Sequence, residues 1–101
     1  MASRIPPPHP GETIKQDCLV PLAMSVSRLA RNLGIGAARL NEIVRGRRGI
    51  TADTALRLAR YFGTSPEFWL GLQTMYDLRI AEQKTGGLIA RKVKPRKEQA
   101  A

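Results

Sequence analysis

The stretch LARNLGIGAARLNEIVRGRRG, residues 29–49, limits the possible folds more than any other part of the chain. Two short apolar patterns, Leu29–Ala30–Leu33 and Leu40–Ile43–Val44, recur at helical spacing and are separated by Gly34. Glycine tolerates the positive φ of a sharp turn, so a helix is expected to end there and a second to begin soon after. Both segments fall short of the roughly 12–15 residues below which an isolated helix is marginal in water. They must lean on further helices of the same domain. Arg45, Arg47 and Arg48 crowd behind the second one.

Short helix, glycine turn, short helix is the helix-turn-helix arrangement, and its geometry imposes conditions that a sequence can fail. Counting Val26 as the first of twenty positions, the turn glycine should be ninth, and Gly34 is. The fifth residue must be small where the helices cross, and it is Ala30. Positions four, eight, ten, fifteen and eighteen must be apolar; they are Leu29, Leu33, Ile35, Leu40 and Ile43. A generic helical hairpin meets some of these conditions by accident, but seldom the glycine and the alanine together.

The remaining segments supply the supporting helices. Pro10 suits a first turn, Glu12 complements the macrodipole there, and Ile14, Cys18 and Leu22 at spacing four predict a first helix of about ten residues. Ser25 is a suitable N-cap for the second helix, and the third spans about Ala37 to Arg45 until Gly46. Thr51 caps a fourth, in which Ala55, Leu58, Ala59 and Phe62 form the inner stripe and Asp53 can pair with Arg57. Ser65, Pro66 and Glu67 start a fifth, running to about Lys84 before Thr85-Gly86-Gly87. "LIARKV" could be extended, but no alternating run supports a sheet. The fold class expected is all-α with five helices: a proline-rich arm at 1–8, a domain at 9–84, and a basic tail at 85–101 that reads as disordered and is able to add nonspecific DNA affinity.

The net charge of +9 is informative once it is located. Residues 26–48 carry six arginines against Glu42, and residues 85–101 carry five cations against Glu98. Charge gathered in two segments resembles a polyanion footprint more than a solvated surface. A helix-turn-helix exposes the second helix to the major groove, about 12 Å wide, with its N-terminal residues at the base edges. The DNA-facing set is therefore Ser27, Gly36, Ala37, Ala38, Arg39, Asn41, Glu42 and Arg45, with Arg47 and Arg48 placed to meet flanking phosphates. Ala37 and Ala38 permit close approach, leaving base discrimination to Arg39, Asn41 and Glu42.

Other classes find little support. No run approaches the roughly 20 apolar residues of a membrane span. The N-terminus MASRIPPPHPGE lacks an apolar signal region, so a cytoplasmic location is expected. One cysteine and one histidine make neither a disulfide nor a metal site, and no cofactor is implied. His9 has no nucleophile or acid at a recognisable spacing, which favours a capping or packing role over catalysis. The chain does not read as an enzyme.

The segments HPGE (9–12), RLNEIVRGRRGITADTALRLARYFGTSPEFWL (39–70) and YDL (76–78) resemble the HigA (VapI-type) antitoxins, helix-turn-helix proteins of the Xre/Cro, lambda-repressor-like superfamily. The resemblance covers roughly residues 5 to 82. It implies a bacterial homodimer that represses its own operon at a palindromic operator and neutralises a HigB-type, mRNA-cleaving toxin. An Xre-type repressor without a toxin is the alternative. Val26 stands where many of these repressors carry a phosphate-reaching Gln, and Gly36 where Ser or Pro is usual.

Phe68, Trp69, Leu72, Met75 and Tyr76 form the expected core stripe of the fifth helix. Leu70, Leu78 and Ile80 extend apolar character to a second face. So small a domain cannot bury both, and Leu70, Met75, Leu78 and Ile80 are the expected dimer contacts. A chain this basic is poorly suited to cover an RNA-binding toxin with a charged patch. Toxin contact is therefore expected through shape and scattered acids such as Glu12 and Asp17.

Overall fold

A computed structural model of the chain describes residues 8–97. Five helices follow one another, and there is no strand among the described residues. The helix α1 is α-helical over Pro10–Thr13 and continues as π-helical turns over Ile14–Leu19. After it come α2 (Val26–Leu33), α3 (Ala37–Val44), α4 (Ala52–Phe62) and α5 (Pro66–Lys92).

Local chemistry sets most of these boundaries. Ser25, Thr51 and Ser65 accept hydrogen bonds from the backbone N–H of Arg28, Thr54 and Phe68, each supplying a partner that the first turn lacks. Gly34 ends α2 at φ +74°, as the turn required. His9 caps α1, its Nδ1 accepting from Gly11 N at 2.9 Å. Capping and packing are thus its observed roles.

The first helix has the ten residues expected but not the geometry. Its wider π turns bring Ile14, Cys18 and Leu19 inward together. The chain then reverses through Ala23 at φ +50°, leaving Leu22 55% exposed, outside the core that its spacing suggested.

Ile14, Leu29, Leu40, Ile43, Leu58 and Trp69 form the centre of the core. The indole of Trp69 is buried, and its Nε1 donates to Thr64 Oγ1 at 2.7 Å. Leu72 and Tyr76 are half-buried beside it, but Phe68 and Met75 are largely exposed, so the expected core stripe is narrower than its spacing implied.

Gly11 joins the first and third helices. A β-carbon there would run into the carbonyl oxygens of Ile43 and Val44, so only glycine lets α1 close on the end of α3.

The largest departure is at the C-terminus. The fifth helix does not stop near Lys84 but passes through Gly86 and Gly87 to Lys92. Neither glycine adopts positive φ, and Thr85 Oγ1 donates to the carbonyl of Ala81 at 3.0 Å. Arg91 and Lys92 in the last turn complement the helix dipole. The division at residue 84 between domain and tail therefore does not correspond to a structural break, and "LIARK" is helical rather than extended. The proline-rich arm, apart from Pro8, and residues 98–101 lie outside the described residues.

Candidate nucleic-acid interface

Ala30, the small residue the motif requires, is 1% exposed, and the turn between α2 and α3 closes through Ile35 N donating to Ala30 O at 3.0 Å. Arg57 of α4 reaches across to this turn. Its Nη1 donates to the carbonyls of Leu33 at 2.9 Å and Gly34 at 3.2 Å, satisfying acceptors that the end of α2 leaves open. Its Nε holds Asp53 at 2.9 Å. The sequence suggested only the Asp53–Arg57 pair; the contact with the turn is tertiary and leaves no local signature.

With the turn held, α3 stands proud. Gly36, Ala37 and Ala38 at its start are exposed, and a side chain on Gly36 would meet nothing within 4 Å. Ser27, Arg45, Arg47 and Arg48 are exposed as well, and Asn41 and Glu42 are half-buried. Arg47 lies 3.8 Å from the Glu42 carboxylate, which partly screens it.

Between α3 and the start of α2 lies an open cleft of about 800 Å³. Its floor is apolar, with Leu19, Met24, Val26 and Val44, and its rim carries Lys15, Asn41, Arg45 and Arg47 together with Glu12. An apolar floor under a cationic rim suits a sugar-phosphate strand, whose sugar face is apolar and whose phosphates are charged. Lys15 was not among the residues expected here; it lies three residues after Glu12 on the same side of the first helix, and both line the cleft.

Comparison with known proteins agrees with this geometry. The helix-turn-helix family matches residues 14–69. Virulence-associated protein I of Dichelobacter nodosus is 52% identical over 81 residues, covering 80% of this chain and 75% of that protein. The structure of an addiction module antidote protein of the HigA family from Coxiella burnetii superposes with a TM-score of 0.87 at 47% identity, covering 91% of this chain and all of that one. This chain belongs to the HigA family of helix-turn-helix antitoxins. A second HigA structure, from Pseudomonas aeruginosa and solved with the higBA promoter, has a TM-score of 0.86 at 44% identity, covering 88% and 97% of the two chains.

Within this HigA-family domain, Arg39 departs from expectation. Its side chain turns away from the exposed edge of α3 toward α4, and Nη2 donates to Thr54 Oγ1 at 3.2 Å and Thr51 Oγ1 at 3.4 Å. Its Nε is buried without a partner. A guanidinium tied to the neighbouring helix is not placed to read bases.

The expected dimer residues also separate. Met75 and Leu78 are 59% and 53% exposed, on one side of α5 with Phe68. Leu70 is half-buried against the core, and Ile80 is half-buried, eleven residues and three turns beyond Trp69 on the same side of α5. The free apolar face of this HigA-family helix is therefore Phe68, Met75 and Leu78, continued by Ile89.

Of the two acids, Glu12 lines the cleft, whereas Asp17 is exposed beyond it. Cys18 is buried, and burial followed by the nearby Asp17 charge raises its thiol pKa, which keeps it protonated. Among the described residues, no His, Cys, Asp and Glu side chains are grouped to hold a metal ion, and no helix is long and apolar enough to cross a membrane.

Proposed function

We propose that this chain is an antitoxin that represses its own operon, binding a palindromic operator as a homodimer and neutralising an mRNA-cleaving toxin of the HigB type. The observation that carries the DNA half is the exposed edge of α3 beside the cationic cleft. The promoter-bound structure of the HigA from Pseudomonas aeruginosa supports the same use of the fold.

In this reading Gly36, Ala37 and Ala38 let the start of α3 approach the bases closely, and Asn41 and Glu42 discriminate among them. Arg45, Arg47 and Arg48 hold the backbone with Lys15, and Ser27 offers a hydroxyl at the start of α2. Arg39 supports α3 from behind. The α5 face of Phe68, Met75 and Leu78 pairs with a second copy, which sets two recognition helices on half-sites about 34 Å apart, or a multiple of that. Glu12 and Asp17 contribute to toxin contact. The surroundings are those of a bacterial cytoplasm.

Co-expression with the toxin gene adjoining this one tests the antitoxin half. The wild type should restore growth, and Glu12→Lys with Asp17→Lys should lose that protection; because Glu12 also lines the DNA cleft, the double variant should bind its operator at least as tightly as the wild type. Protection retained by the double variant discards these two residues as the toxin contact. No protection by the wild type discards the antitoxin reading and leaves a repressor without a toxin.

A further inference from the structure

The C-terminal part of α5 belongs neither to the core nor to the helix-turn-helix. Residues 83–97 hold six cations and no carboxylate, and nearly all of them are exposed. The direction of α5 shows where this charge goes. Trp69 lies beside Phe62 at the end of α4; Gln73 accepts from Ile50 N at 2.8 Å and lies against Gly49; Tyr76 meets the His9 ring at 4.8 Å. His9 in turn lies against Gly46. The helix therefore leaves the body at the loop that carries Arg47 and Arg48.

Beyond Asp77 it runs fifteen residues further to Lys92, about 22 Å at 1.5 Å per residue. This projection accounts for the 54 Å long axis of a molecule only 27 × 21 Å across. Positive charge is thus found in the α3–α4 loop and again from Lys84 onward along the helix, with Asp77 and the Arg79–Glu82 pair between them, and no acid follows among residues 83–97.

We propose that this extension is a second DNA-binding element, which holds duplex phosphates beyond the half-site read by α3. The inference rests on the DNA-binding reading above. With phosphates every 3.4 Å along a strand, about 22 Å of helix spans roughly six base pairs. Lys84 and Arg91, seven residues apart, share one face of the helix, Lys92 lies beside that face, and Lys94, Arg96 and Lys97 follow the helix end. That distribution gives backbone attraction without base reading. The element should therefore add affinity to every sequence alike, and lengthen the footprint without changing the preferred operator.

The test replaces all six cations by glutamine in the full chain and follows binding to the chain's own promoter duplex and to a scrambled duplex across a salt series. Loss of three phosphate contacts flattens the plot of log K against log salt by about 2.7, at about 0.9 per contact. Both duplexes should weaken by the same factor and the footprint should shorten, with the dimer retained by sedimentation. An unchanged slope alongside intact wild-type operator binding overturns the inference, as does a loss confined to binding of anionic phosphatidylserine vesicles. Absence of salt-dependent promoter binding in the wild type overturns the DNA reading itself.

Discussion

Arg57 Nη1 lies 2.9 Å from the carbonyl oxygen of Leu33, so a side chain of α4 closes the last turn of α2 at the point where the DNA-binding motif bends. Hydrogen bonds from a charged donor contribute about 1.5–3 kcal/mol where water is excluded, and less where it is not. The Arg57 side chain is 41% exposed, which places this contact at the lower end. Arg57→Met should destabilise the fold by about 1.5 kcal/mol in chemical denaturation. It should also weaken operator binding although the residue lies outside the expected DNA-facing set. Asp53→Asn, which leaves the carbonyl contacts in place, should cost well under half as much; an equal loss in both would assign the effect to the ion pair instead.

Gly11 makes the most demanding backbone contact in the molecule, because its missing side chain is replaced by the carbonyls of Ile43 and Val44. Those oxygens belong to the end of α3 and cannot rotate aside. Gly11→Ala should therefore cost about 3 kcal/mol, the upper range for overpacking. Thermal unfolding with less than a few degrees of change would show that α1 can shift outward freely.

His9 links acidity to stability. Burial lowers its pKa from the usual 6.5, with the Asp77 carboxylate pulling the other way, and its Nδ1 must be unprotonated to accept from Gly11. The unfolded chain takes up the proton first as the pH falls. Stability from the cap is thus complete above about pH 6.5 and declines below it. His9→Asn retains an N-cap acceptor that does not titrate there. Melting curves should show the wild type losing ground to His9→Asn as the pH is lowered, and parallel curves would contradict the assignment.

The two kinds of apolar residue on α5 should respond differently. Leu78→Glu charges the exposed face and should give a folded monomer with much weaker operator binding. Ile80→Glu acts at a half-buried position and should lower the melting temperature as well. Sedimentation of Leu78→Glu as an unchanged dimer would remove this face from the interface.

What the sequence conveyed follows from the range of each interaction. The caps at Ser25, Thr51 and Ser65 and the turn at Gly34 depend on residues within a few positions, so spacing alone located them. Arg39, Arg57 and Gln73 act between helices, and nothing within four residues of any of them marks the contact. Leu22 falls outside the core because the first helix ends at Leu19 and the chain turns through Ala23, whereas a helical wheel assumes that the helix continues. The end of α5 escapes the sequence for a different reason. Glycine weakens a helix interior by about 1 kcal/mol relative to alanine, but it ends a helix only when the backbone adopts positive φ. Gly34 does so, and Gly86 and Gly87 do not.

In this protein α3 is expected to read DNA sequence and the arginines after it to hold the backbone. Selection of preferred duplexes from a randomised pool, run in parallel for the wild type, Asn41→Ala and Arg47→Ala, measures it most directly. Asn41→Ala should relax preference at one base pair in each half-site, by about 1–3 kcal/mol, and leave the remainder of the operator intact. Arg47→Ala should return the wild-type preference, with every duplex weakened alike and the salt dependence reduced. A changed preference with Arg47→Ala, and an unchanged one with Asn41→Ala, would contradict the account.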